Sequence, residues 1–167
     1  MAPDPSAVAL LAELRHRGWS IGTAESLTGG LVAAALIDVS GASASMRGGI
    51  VAYDTRVKRD MLGVERDLLE AHGAVHPEVA QQMAEGVRRV LSVDGSPVDV
   101  GLSTTGIAGP GSPDGQPVGL VYLGVATPKG YAGRRRVYEG TRDEIRRQAT
   151  GDVLALALEA LVGATQE

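Results

Sequence analysis

WSIGTAESLTGGLVAAALI, residues 19–37, predicts a strand, a tight turn and a helix in immediate succession. Apolar and polar residues alternate over 19–24, which is typical of a strand. A run of Leu, Val and Ala follows two glycines, and Thr28 stands where it can cap a helix over 29–37. A strand that leads through a Gly-rich turn into a helix indicates an α/β fold.

The rest of the chain continues this alternation of helices and strands. Apolar spacing and Gly or Pro boundaries predict helices over 6–17, 55–63, 65–73 and 76–92 and one that starts after Thr141. Strands are predicted over 48–53, 98–106, 120–127 and 133–140, the last two joined as a hairpin through PKG. We therefore expect one α/β domain over residues 1–167, with a mixed sheet covered by helices.

Composition excludes several classes of function. The 167 residues include no Cys, so disulfides and thiolate chemistry are ruled out. The net charge of −4 and the small number of aromatic side chains argue against a nucleic-acid partner. No uninterrupted apolar run approaches eighteen residues, so we expect no membrane span and a cytoplasmic location. His, Asp and Glu nowhere show metal-ligand spacing, so no metal is expected.

Two Gly-rich loops follow predicted strands and are the candidates for chemistry. In the first, Ser26 stands just before a helix, where backbone N–H groups of Thr28, Gly29 and Gly30 could stabilise an oxyanion. In the second, over 104–111, Thr105 leads into glycines whose backbone could hold a phosphate or a ribose. The alternative is that Ser26 and Thr28 only cap the helix and that the second loop is a flexible connection.

A serine nucleophile needs a base, and the three histidines are poorly placed for that role. His16, His72 and His76 stand at charged or helix-terminal positions, so a Ser-His-Asp triad is not supported. Lys58 lies on a predicted short helix, five residues after Tyr53, and a desolvated lysine can lose its proton near neutral pH. An exposed lysine without catalytic function is an equally good interpretation of this pattern.

Two arginines near the start of the last predicted helix could bind an anion. Arg142 and Arg146 are four residues apart and share one helix face. Cations at a helix N-terminus oppose the helix dipole, which favours a ligand there. The alternative is a solvated face that pairs with the neighbouring carboxylates.

Five segments together resemble the CinA C-terminal domain family, from about residue 6 to residue 163. They are TAESLTGGLVAAALIDVSGAS, GGIVAYDTRVKRDMLGV, GAVHPEVAQQMAEGVR, TTGIAGPGSPDGQPVGLVY and GTRDEIRRQA, in that order along the chain. The resemblance implies a three-layer α/β/α sandwich that forms a homo-oligomer. It also implies cofactor-free hydrolysis of nicotinamide mononucleotide (NMN) to nicotinate mononucleotide and ammonia. Larger members carry an additional N-terminal domain, whose activity is not expected of this chain.

The resemblance also assigns roles to residues. It implies that Ser26 is the nucleophile, that Lys58 and Tyr53 assist it, and that the nucleotide pocket is formed by Thr105, Gly106, Gly109 and Arg142. The proton of Ser26 is expected to reach Lys58 directly or through Tyr53 or Ser43. Two other functions stay open: a non-catalytic nucleotide-binding module linked to competence or DNA damage, and an amidase that acts on a different amide.

Overall fold

In the computed structural model, which describes residues 2–113 and 115–163, five strands form one mixed sheet. The strands are β1 (Ile21–Glu25), β2 (Met46–Val51), β3 (Val100–Gly106), β4 (Leu120–Thr127) and β5 (Gly130–Val137). Their order is β2-β1-β3-β4-β5, with β1 parallel to both neighbours and β4 antiparallel to β3 and β5. The predicted α/β fold with a mixed sheet is confirmed.

Six helices cover the two faces of this sheet within the described residues. They are α1 (Pro5–Arg17), α2 (Leu31–Ile37), α3 (Thr55–Asp60), α4 (Arg66–His72), α5 (Pro77–Val90) and α6 (Arg142–Gly163). One apolar cluster joins α1, α2 and α6 to the sheet, and a second joins α5 and the segment around α3 and α4 to the opposite face. The molecule is therefore a three-layer α/β/α sandwich, as the family resemblance implies.

The pleat of the strands explains how both faces are buried. Along β1, Ile21 belongs to the first cluster and Ala24 to the second, because neighbouring side chains in a strand point to opposite faces. On β3, a Cβ at Gly101 would collide with the carbonyl oxygen of Ala84. Glycine at this position thus allows α5 to pack directly on the sheet.

Most element boundaries differ from the sequence-based prediction by one to three residues, for example β2, predicted over 48–53 and observed over Met46–Val51. β5 begins at Gly130, three residues before the predicted strand, and leaves only a two-residue turn after β4. Helix α2 begins at Leu31 rather than at residue 29, and Gly30 is its N-cap residue. Because β1, β2 and β3 are parallel, the loops that follow them meet at one edge of the sheet.

Candidate active site

A cavity of about 550 Å³ opens at this edge of the sheet. Segments that follow β1, β2 and β3 contribute to it, together with α3, α4 and the start of α6. Its lining includes Ser26, Leu27, Tyr53, Thr55, Lys58, Leu69, Gly73, Ala74, Val75, Thr105, Gly106, Ile107, Ala108, Gly109 and Arg142. Within the described lining, Arg142 carries a positive charge, Lys58 adds a second one when it is protonated, and no side chain is acidic, so the cavity favours an anionic ligand.

Ser26 and Lys58 form a buried hydrogen-bonded pair at the floor of the cavity. Lys58 Nζ lies 3.0 Å from Ser26 Oγ, and the two residues are only 1% and 8% exposed. Nζ also lies 2.6 Å from the carbonyl oxygen of Ala52 and 3.4 Å from that of Tyr53. A neutral amine can donate its two N–H groups to these carbonyls, which directs its lone pair at the hydroxyl of Ser26.

The environment of Lys58 moves its titration towards neutral pH. Burial lowers the pKa of Lys58 from 10.5 to about 8, and the Asp54 carboxylate opposes part of this shift. Asp54 caps α3 and is itself paired with Arg56, so it is not the partner of Lys58. A lysine whose pKa lies this close to neutral pH can act as a general base.

Glu25 is the buried carboxylate that holds the turn carrying Ser26. Its two oxygens accept hydrogen bonds from the N–H groups of Gly30, Val32 and Ala33 at the start of α2, at 2.9–3.1 Å. Oε1 also accepts the hydroxyl of Thr28 at 2.7 Å. The side chain at the end of β1 thereby occupies the helix N-terminus, where an external anion would otherwise bind.

This arrangement changes the expected oxyanion donors. The N–H of Gly30 is bonded to Glu25, and the N–H of Gly29 donates to the carbonyl of Ser26 at 3.1 Å. Thr28 is fully buried, and its hydroxyl is shared between Glu25 and Thr104, so it is not the helix cap. Gly29 and Gly30 therefore shape the turn, and their N–H groups are already used.

The second Gly-rich loop forms the opposite wall of the cavity. Gly106 ends β3, and Gly109 adopts a φ of 75°, a left-handed conformation that suits glycine. The hydroxyl of Thr105 donates to the carbonyl of Ala74 at 2.7 Å, which ties this strand to the segment before α5. Thr105, Gly106 and Gly109 all lie at the cavity, as the sequence analysis expected of pocket residues.

Arg142 and Tyr53 meet at the mouth of the cavity. Arg142 donates to the carbonyl of Gly109 at 2.8 Å and to the hydroxyl of Tyr53 at 3.1 Å. Tyr53 is 62% exposed. Because Lys58 reaches Ser26 directly, proton transfer between them does not require the hydroxyl of Tyr53.

Ser43 does not belong to the site. It is exposed on a single 3₁₀ turn, Ala42–Ala44, that leads into β2. Ser45 next to this turn is bonded to Ile21, at the start of β1, whereas Ser26 follows the end of that strand. Five residues of strand separate the two ends by about 15 Å. The proton relay suggested for Ser43 is thus ruled out by position.

Arg146 contacts the protein's own backbone rather than open solvent. Its Nε donates to the carbonyl of Leu27 at 2.8 Å and its NH2 group to that of Thr28 at 3.2 Å. These two hydrogen bonds hold the turn that carries Ser26. Neither interpretation made from the sequence, a ligand anchor or a solvated face paired with carboxylates, matches this role of Arg146. The function of Glu25 was not predicted from the sequence.

The other polar groups singled out from the sequence have structural roles. His76 is the N-cap of α5, where its Nδ1 accepts the N–H of Glu78 at 3.2 Å, and its ring stacks on that of His72. Among the described residues, His, Asp and Glu side chains form no group of three or more that could hold a metal ion. None of the helices in that same part of the chain is long and apolar enough to cross a bilayer.

The model of the CinA C-terminal domain family matches residues 4–161. The chain belongs to this family. Among sequence relatives, a CinA-like protein of Anaeromyxobacter dehalogenans is 47% identical over 154 residues, which cover 91% of this chain and 36% of the relative. This CinA-type domain thus spans about a third of the length of the relatives it matches.

Solved structures of family members share the fold along almost the whole chain. A CinA superfamily protein from Klebsiella pneumoniae 700603 superposes with a TM-score of 0.87 at 30% identity, over 98% of this chain and 99% of that one. The competence/damage inducible protein CihA from Agrobacterium tumefaciens gives 0.83 at 36% identity, over 96% and 99%. These two structures thus match this CinA domain over nearly their own full lengths.

Proposed function

We propose that this CinA domain is an amidohydrolase that converts NMN to nicotinate mononucleotide and ammonia, with Ser26 as nucleophile and Lys58 as base. The observation that carries the proposal is the buried contact of 3.0 Å between Lys58 Nζ and Ser26 Oγ. A module that only bound a nucleotide would gain nothing from a desolvated amine aimed at a serine hydroxyl. The family resemblance supplies the substrate, and the cationic lining suits its phosphate.

The first half of the reaction forms an acyl-enzyme. Lys58 accepts the proton of Ser26 as Oγ attacks the carboxamide carbon of NMN. The resulting ammonium keeps three acceptors around it, namely the carbonyls of Ala52 and Tyr53 and the serine oxygen. It then returns the proton to the departing nitrogen, so that ammonia leaves and the nicotinoyl ester of Ser26 remains.

The second half regenerates the enzyme. Neutral Lys58 takes a proton from a water molecule, whose oxygen attacks the ester carbonyl, and nicotinate mononucleotide is released as the proton returns to Ser26. Arg142 is the group proposed to hold the phosphate. It lies at the mouth of the cavity, where the nucleotide would extend from an amide placed at Ser26.

The test is ammonia release from NMN in the presence of EDTA, with wild type, Ser26→Ala and Ser43→Ala measured side by side. We expect release by wild type and by Ser43→Ala, because Ser43 lies at the far end of β1, and none by Ser26→Ala. Unchanged release by Ser26→Ala would remove Ser26 as nucleophile. Tight NMN binding without turnover by folded wild type would favour the regulatory module, whereas failure to bind NMN would favour a different amide.

A further inference from the structure

The turn Ser26–Gly30 leaves one backbone donor available at the cavity. The N–H of Ser26 donates to the carbonyl of Thr104, and those of Gly29 and Gly30 are bonded within the turn. The N–H groups of Leu27 and Thr28 find no acceptor in residues 2–113 and 115–163, and of these two residues only Leu27 lines the cavity. Leu27 directly follows Ser26 in the chain, so its N–H is the available backbone donor next to the proposed nucleophile.

A chain of polar contacts connects this N–H to Arg146. Arg146 donates to the carbonyl of Thr28, and the same peptide's N–H, that of Gly29, donates to the carbonyl of Ser26. A trans peptide directs its N–H opposite its carbonyl, so the Ser26–Leu27 peptide presents the N–H of Leu27 away from the inside of the turn. Hydrogen bonds linked in this way polarise one another.

From this chain of contacts we infer that the N–H of Leu27 is the oxyanion donor and that Arg146 is the residue that positions and polarises it. The inference rests on the proposed amidase function. Arg146 touches neither Ser26 Oγ nor Lys58 and acts through two peptide groups, so it is a positioning residue. Its second bond, from Nε to the carbonyl of Leu27, fixes the guanidinium against the turn.

The chain offers a matched control on the next residue of the same helix. Arg147 is exposed and pairs with Asp143 at 2.7 Å, and among the described residues it makes no hydrogen bond to the Ser26–Gly30 turn. We would compare Arg146→Gln, Arg146→Lys and Arg147→Gln with wild type in ammonia release from NMN. Loss of one oxyanion donor costs about 100- to 1000-fold in kcat, and weakening one through a positioning residue should cost less, about 10- to 100-fold.

The expected pattern is a fall in kcat for Arg146→Gln with KM within about threefold of wild type, partial recovery in Arg146→Lys, and normal kinetics in Arg147→Gln. The midpoint of the rise of kcat with pH should stay in place, because Lys58 is not altered. A rise in KM with unchanged kcat would overturn the inference and make Arg146 a ligand anchor. Should Arg146→Gln fail to fold, Arg146→Lys, which retains one donor group, carries the same comparison.

A second readout separates this inference from the proposed function. In amide-detected NMR of the uniformly ¹⁵N-labelled chain, Arg146→Gln should move the Leu27 and Gly29 amide protons upfield, and Arg147→Gln should leave both in place. This measurement needs no substrate. If wild type proves inactive on NMN while the shifts occur, the proposed function fails and the positioning of Leu27 by Arg146 stands. If the Leu27 resonance does not respond to either Arg146 variant, the inference is wrong, whatever the activity.

Discussion

The burial of Lys58 predicts a specific dependence of stability on pH. Burial lowers its pKa from 10.5 to about 8, so between these values the unfolded chain holds a proton that the folded protein has released. Stability must then rise with pH across this window. Across the whole window the free energy of unfolding should rise by about 3 kcal/mol, since each unit of pKa corresponds to roughly 1.4 kcal/mol. Below pH 8 the cost of burying the charged amine is fully present, and it is relieved as pH rises towards 10.5.

The substitution Lys58→Met isolates this contribution. Other titrating groups are common to both proteins, so the difference between their free energies of unfolding reports Lys58 alone. Between pH 7.0 and pH 9.5 we expect wild type to gain about 2 kcal/mol relative to Lys58→Met, measured by urea unfolding at several pH values. Lys129→Met, at the exposed turn before β5, controls for removing a lysine from the surface. A gain below about 0.5 kcal/mol would show that the folded amine titrates as a solvated lysine does, and the proposed base would lose its physical basis.

Three further predictions concern the catalytic rate, the binding of NMN and the stability that Glu25 gives to the Ser26–Gly30 turn. Because Lys58 must be neutral to accept a proton, kcat/KM should rise about eightfold from pH 7.0 to pH 8.5, and a flat profile would exclude Lys58 as base. Arg142→Gln should raise KM for NMN about 10- to 100-fold, because it removes charge-assisted hydrogen bonds to the phosphate. Arg147→Gln is the control, and a lower kcat at unchanged KM in Arg142→Gln would contradict the binding role of Arg142. Glu25→Gln should lower the free energy of unfolding by about 2–4 kcal/mol, because a neutral amide replaces a carboxylate bonded to three N–H groups at the start of α2. Chemical denaturation measures this change, and a loss of less than about 0.5 kcal/mol would argue against this function of Glu25.

Alternating and helical spacing of apolar residues sufficed to predict most of the fold. The element boundaries that were predicted wrongly have local causes. The start of α2 differs from the prediction because its N–H groups are bonded to Glu25 at the end of the preceding strand and not to a capping side chain beside the helix. β5 was placed three residues late because its paired residues include small and charged side chains, with no apolar alternation to mark where the strand begins.

The contacts within the candidate site were harder to predict from the spacing of residues along the sequence. Ser26 could be singled out by its position before a helix, but its contact with Lys58 joins segments 32 residues apart, and no local pattern reports such a pairing. From the residues alone Lys58 was equally well explained as exposed, and only the family resemblance favoured it. Ala74 and Val75 line the cavity without any distinctive local signal, because a tertiary hydrogen bond from Thr105 on β3 to the carbonyl of Ala74 holds this segment there.

The carboxylate of Glu25 has a consequence for how this site meets its substrate. The turn that carries Ser26 is preorganised by an anion built into the chain, so its donors are aligned before any ligand arrives. Binding then requires little reorganisation of the reacting groups, which is the condition under which fixed dipoles lower a barrier most effectively. It also means that inorganic anions such as sulfate should find the start of α2 already filled. Any inhibition by such ions would have to arise at the cavity mouth.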